Sequence, residues 1–343
     1  MSCESVSPPR PPELQQGFSL IELMVALSIG LVVIGAVFTN YLHNSVAARQ
    51  TAAMAQVTGD ASLALGILRN HLALAGFSQP SGVSTDGLMT PRLTGPAILG
   101  CSNNGALAVT QPRPSSTGGN GTSSSGTTAS NTSSASWSCP SSSSSSTSSS
   151  TTNTTTSSAT SDSMLVRYET DTDMSPATTD TPARPKDCIG DGILAESGTP
   201  AGQVQFIAES RFYISTSNTI PSLYCMGKDP SPTTSATGQP LVENVSEMHL
   251  WFGIATTDPN SKKLQQIQRY VTATDVGALP GQIANWSQVK AIRICLVVRS
   301  DDEVLPSTTA YRNCANASIT PSDRRIYRAF TSTVVLNNRA STL

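Results

Sequence analysis

From Phe18 to Phe38 the chain reads FSLIELMVALSIGLVVIGAVF, an apolar run whose single ionisable side chain is Glu22. As a helix rising about 1.5 Å per residue, it spans roughly 30 Å, the thickness of a bilayer's hydrocarbon core. A secretory signal has a shorter apolar stretch of about 7 to 15 residues and a small-residue cleavage site. Ser45-Val46-Ala47 imitates such a site, but the run is too long and the acid inside it is out of place. In a plain membrane anchor that carboxylate would cost about 2.5 to 3.5 kcal/mol at bilayer depth and gain nothing. A buried carboxylate becomes tolerable when an ammonium group meets it, so the run calls for a partner charge.

The segment Gly17 to Met24, GFSLIELM, closely resembles the class III signal of type IV pilins and type II secretion pseudopilins. The resemblance implies a leader of residues 1 to 17, cut by prepilin peptidase after Gly17, and methylation of the new N-terminus at Phe18. It also implies that Glu22 pairs with the N-terminal amine of a neighbouring subunit during assembly. Glycine suits the position before the cut because it puts no side chain where a protease must approach the backbone. The sequence departs from the family in one respect. A basic residue usually precedes the glycine, whereas here Gln15-Gln16 do, and Arg10 is the leader's only base. With Arg49 on the far side, positive-inside bias is weak and orientation rests on the motif. The implied location is the inner membrane, crossed once, with a periplasmic head and a mature subunit assembled into a pilus at the cell surface.

No proline occurs between Pro12 and Pro80, and Gly76 followed by Pro80 is a helix stop. One helix is therefore expected over 18–76, transmembrane or in a filament core over 18–38. In its second half Ala61, Leu65, Leu68, Leu72 and Ala75, flanked by Leu63, Ile67 and Leu74, form a broad apolar stripe suited to packing on a sheet. Gly59 and Gly66 each cost up to about 1 kcal/mol in a helix interior, which marks them for a bend or local melting. Gly30 and Gly35 do the same in the apolar half.

Residues 77–343 form the expected head. A tract over 115–162, almost all Ser, Thr, Gly, Asn and Ala, cannot bury enough apolar surface to offset the entropy of ordering it and reads as a disordered loop inside the head. Of the seven cysteines, Cys3 falls in the leader, leaving Cys101, Cys139, Cys188, Cys225, Cys295 and Cys314. An even set in an exported domain points to disulfides, with the connectivity open. Cys188 with Cys225 and Cys295 with Cys314 each bracket a strand-turn region, and Cys101 with Cys139 could staple the first half of the tract.

Strand signals follow at Met164 to Tyr168, Val204 to Ile214, His249 to Ile254, Gln268 to Ala273, Val289 to Arg299 and Tyr327 to Leu336. In the clearest, Ile292, Ile294, Leu296 and Val298 share one face, while Arg293, Cys295 and Arg299 share the other. The fold class is therefore α+β: a long N-terminal helix on a mainly antiparallel sheet. Asp162 to Tyr168, Phe212 to Ile214 with Leu223-Tyr224, Leu241 to Val245 with Met248 to Gly253, Val289 to Ser300 and Arg328 to Arg339 resemble, in that order, the PilW family of minor pilins. The resemblance implies a minor type IV pilus subunit that helps initiate assembly, with other minor and major pilins, the inner-membrane assembly machinery and membrane lipid as partners. A type II secretion minor pseudopilin shares the leader and helix, and a pilus-associated adhesin using the serine-rich tract is the reading from another class.

Enzyme chemistry finds no support, since G-x-S-x-G, H-E-x-x-H, P-loop and G-x-G-x-x-G motifs are all missing. His43, His71 and His249 read as surface or packing residues, and Asp171-Thr172-Asp173 lacks the rest of a calcium loop. No cofactor or metal is expected. The formal net charge of −2 projects no strong field, and the eight bases and four acids from Lys290 onward read as solvated strand edges rather than a DNA surface.

Overall fold

The computed structural model describes residues 19–83, 89–93, 95–102, 161–179, 181–197, 204–227, 238–257, 264–278 and 286–339. The chain divides into two compact units, Met1–Ala52 and Ala53–Leu343. Helix α1, Leu20–Leu74, belongs to both and stays helical through Gly30, Gly35, Gly59 and Gly66. A penalty of about 1 kcal/mol per glycine is small against the cooperativity of so long a helix.

In the first unit the apolar side chains of α1 from Leu20 to Val46 are exposed, Leu20 by 77% and Ile34 by 71%. The hydroxyls of Ser28, Thr39 and Ser45 donate back to the carbonyls of Val25, Ala36 and Leu42. Each of these hydroxyls is thereby satisfied inside its own helix, as an apolar surrounding requires. By length and composition α1 can cross a membrane.

In the second unit α1 buries Ala53, Val57, Ala61, Ala64, Leu68 and Leu72, a stripe of four-residue steps with one three-residue step from Ala61 to Ala64. Leu65, Ile67 and Leu74 pack partly buried beside it. Leu63, expected on the flank, is instead 56% exposed. The stripe runs through Ala61 and Ala64, and successive helix residues are turned by about 100°, which rotates Leu63 off the buried face. The helix ends on a left-handed glycine: Gly76 has φ 77°, its amide donates to Arg167 O at 2.9 Å, and the amide of Phe77 returns to Leu74 O at 2.8 Å.

The head's strands are β1 (Pro80–Val83), β2 (Met89–Pro91), β3 (Ile98–Cys101), β4 (Ser163–Thr170), β5 (Ala195–Ser197), β6 (Val204–Ser217), β7 (Ile220–Met226), β8 (Gln239–Glu243), β9 (Val245–Thr257), β10 (Leu264–Val271), β11 (Val289–Arg299), β12 (Tyr311–Arg312), β13 (Ser318–Ile319) and β14 (Tyr327–Val335). They form two antiparallel sheets. One runs β3-β4-β6-β7-β8, with β5 also on β6; the other runs β10-β9-β11-β14. β1–β2 and β12–β13 are separate small pairs. The inner faces meet α1 in a single apolar cluster containing Leu68, Leu72, Phe212, Met248, Phe252 and Ile292.

Two further expectations change. Ala273 is not the end of a strand but the start of helix α2, Ala273–Ala278. There Thr272 and Asp275 cap each other reciprocally, with the Asp275 amide donating to Thr272 Oγ1 and the Thr272 amide to Asp275 Oδ2. The low-complexity tract stops short of 162. Ser161 and Asp162 are buried against β9, where the Asp162 amide donates to Met248 O and its carboxylate accepts the Leu250 amide, both at 2.8 Å. On the outer face of β11 Cys295 and Val297 are both buried, and Cys295 is bonded to Cys314. The rest of the tract, 115–160, lies outside the described residues.

Candidate functional site

Ser19 stands just before α1 as its N-cap, and Glu22 is the third residue inside the helix. Glu22 Oε2 accepts a hydrogen bond from the Ser19 amide at 3.1 Å, one half of a capping box. An acid in the first turn is further stabilised by the helix dipole, by roughly 0.3–1 kcal/mol at an exposed site. The carboxylate therefore has a local partner in the lone subunit while standing among exposed apolar side chains. A cation delivered to this point would meet a fixed, negatively charged acceptor. Gly17 and Phe18, where the resemblance to the class III signal puts cleavage and methylation, lie outside the described residues.

The cysteines occupy the head. Cys188 is joined to Cys225 and Cys295 to Cys314, the two pairs that bracket strand-turn regions. The first ties the loop after β4 to β7. The second ties the β12–β13 hairpin to β11. Cys101 is buried and disulfide-bonded, while Cys139 lies outside the described residues.

The histidines have separate roles. His43 lies on the exposed part of α1. His71 packs edge-on to Phe212 and has Nδ1 3.4 Å from Tyr168 Oη, and burial pushes its pKa down to about 4. His249 lies 3.5 Å from Glu247 and 4.0 Å from Asp162. Hydrogen bonding to Glu247 raises its pKa above the ordinary value, with Asp162 adding to the rise and burial opposing it. Asp171 spends its carboxylate on the amides of Asp173 and Met174, a turn rather than a cation loop. Among the described residues no group of three or more His, Cys, Asp or Glu is placed to hold a metal ion.

The C-terminal bases do not converge. Arg324 pairs with Glu303 at 3.1 Å and Arg325 with Asp323 at 3.4 Å. Arg299 donates to Thr219 O, Arg312 donates to Asn316 O, and Arg293 lies over the Tyr270 ring.

Composition hid a buried ionic network on the outer face of the β3-β4-β6-β7-β8 sheet. Arg92 meets Glu169 at 3.2 Å, Arg167 meets Glu209 at 2.9 Å, and Arg211 lies 3.7 Å from the same Glu209. Glu209 is only 1% exposed. The only sequence signal for it is alternation, since Arg167 and Glu169 on β4, like Glu209 and Arg211 on β6, are two apart and share a face.

Two family models match the chain. One, described as "Type IV Pilus-assembly protein W", covers residues 211–338, from β6 to the end of the four-stranded sheet. The other, the prokaryotic N-terminal methylation motif, covers 14–38 and includes Glu22. Among solved structures, a type IV-like pilin from Thermus thermophilus aligns over 83% of this chain and 98% of its own, at 10% identity and a TM-score of 0.38, a level that carries no argument by itself. No curated protein matches by sequence.

Proposed function

For a chain that is a type IV pilin-like protein with a PilW-family domain and an N-methylation motif, we propose the role of a minor pilus subunit that takes part in initiating assembly. It is a structural subunit, not an enzyme. Prepilin peptidase cuts between Gly17 and Phe18 and methylates the new amine. The precursor sits in the inner membrane with its head in the periplasm. Assembly then moves the apolar half of α1 into a filament core formed with other pilins.

Glu22 carries this reading, as a carboxylate on an otherwise apolar and exposed helix face, inside the segment matched by the methylation motif. Within a filament the Phe18 ammonium of a neighbour replaces the helix's own Ser19 amide as its partner. A buried ammonium and carboxylate then neutralise each other, whereas either alone would be strongly unfavourable. The matching head model describes pilus assembly, which favours the pilus over a secretion machine. The test is Glu22→Ala. Cleavage and methylation should proceed and pilus number should fall, while wild-type pilus number in that strain would refute the pairing role.

A further inference from the structure

Among the described residues the paths of the two main sheets end on four strands, with the three-residue β5 as a further short edge on β6, and three of the four are poor templates for pairing. β3 is four residues long. β8 contains Pro240, and its pairing with β7 slips between Leu223 and Tyr224. β10 slips twice against β9. β14 is different: it pairs with β11 through nine consecutive positions, Tyr327 to Val335, without an irregularity or a proline. Natural sheets usually blunt long regular edges with charge, proline or bulges, because an open edge recruits another strand.

The hydrogen-bond parity shows which groups of β14 are open. Leu336 donates to Lys290 O and Ser300 donates to Ile326 O, each at 2.8 Å, so the even positions of this strand are bonded to β11. In an antiparallel ladder the odd positions then direct N–H and C=O to the other side. Those of Ala329, Thr331, Thr333 and Val335 face outward, and their side chains are exposed, Val335 by 49%. Tyr327 is half covered by stacking on Tyr311, so the usable edge begins beyond it. Its one charge, Arg328, lies at the end of the strand.

We propose that the outer edge of β14 is a strand-addition site for another pilin-type subunit, which supplies an uncharged extended segment with small or β-branched side chains opposite Ala329, Thr331 and Thr333. A second copy fits less well. Two β14 strands paired antiparallel are related by a two-fold axis close to the sheet normal, which reverses the direction of elements lying along the sheet, among them the part of α1 packed on it. Subunits anchored in one membrane by the same helix enter it in the same direction. A second copy's β10, the opposite edge of this sheet, is the twice-slipped strand. The inference rests on the reading above that the chain assembles with other pilins.

Residue-level hydrogen exchange on the full chain, free in detergent and within sheared pili, tests it. In pili the amides of residues 329, 331, 333 and 335 should slow at least about tenfold relative to the free chain, while those of 328, 330, 332 and 334 are protected in both. Thr331→Pro removes one outward N–H without touching the β11 ladder, so that variant should fold, mature and be lost from pili; Ser332→Pro, which breaks the ladder, should unfold the sheet instead. Odd amides that exchange equally fast in both states, or wild-type incorporation of Thr331→Pro, overturn strand addition and leave the pilin reading intact. Odd amides already protected in a free dimer assign the edge to a second copy and also overturn it. Absence of the wild-type chain from pili removes the assembly reading and this inference together.

Discussion

His71 sits on α1 against the Phe212 ring, near Tyr168 Oη, with burial holding its pKa at about 4 against an ordinary 6.5. The folded state therefore keeps the imidazole neutral where the unfolded chain would protonate it. A base whose folded pKa is lowered stabilises the fold above its unfolded pKa and loses that contribution as pH falls from about 6.5 towards 4. Between pH 7 and 5 the unfolded state gains about three-quarters of a proton at this site and the folded state about a tenth of one, which amounts to about 2 kcal/mol of lost stability. His71→Gln keeps a polar neighbour for Tyr168 and removes the titration. Denaturant unfolding of both proteins in detergent at the two pH values isolates the effect. The wild type should lose about 2 kcal/mol more than the variant on acidification; equal losses would show that His71 is not held neutral and that the helix does not press it into the core as described.

His249 titrates with the opposite sign. Its raised pKa gives stability that is full below about 6.5 and is lost as pH rises through the folded value, so His249→Gln should flatten the fall in stability from pH 6 to 8. Replacing Cys295 and Cys314 together by serine opens a loop spanning a sequence separation of 19. Unfolding free energy should drop by about 3 kcal/mol on the loop-entropy relation, with no change if the bond is absent in the native protein. Gly76→Ala places a Cβ on a residue with φ 77° and should lower stability by roughly 1 kcal/mol, measured in the same unfolding assay.

Legibility in the sequence followed the rigidity of the local rules. The apolar run with Glu22, the glycine stop at Gly76 and the alternation of Ile292, Ile294, Leu296 and Val298 each obey one period or one backbone constraint, and each reappears as α1, its left-handed cap and the inner face of β11. What composition hid depends on partners distant in sequence. The charges of Arg92, Arg167, Glu169, Glu209 and Arg211 look solvent-facing until strand pairing brings them together and buries them. Cys295 stands on the same face as Arg293 and Arg299, yet it is buried and bonded to Cys314. Ser161 and Asp162 read as the end of a polar tract, yet they supply side-chain acceptors to the β9 amides. The open edge of β14 likewise follows only from its place in the sheet order.

Mass analysis of the N-terminus of the cellular protein reaches the central claim most directly. A chain beginning at methylated Phe18 is the expected result. A functional protein that retains residues 1–17, or one that begins after Ala47, would contradict it.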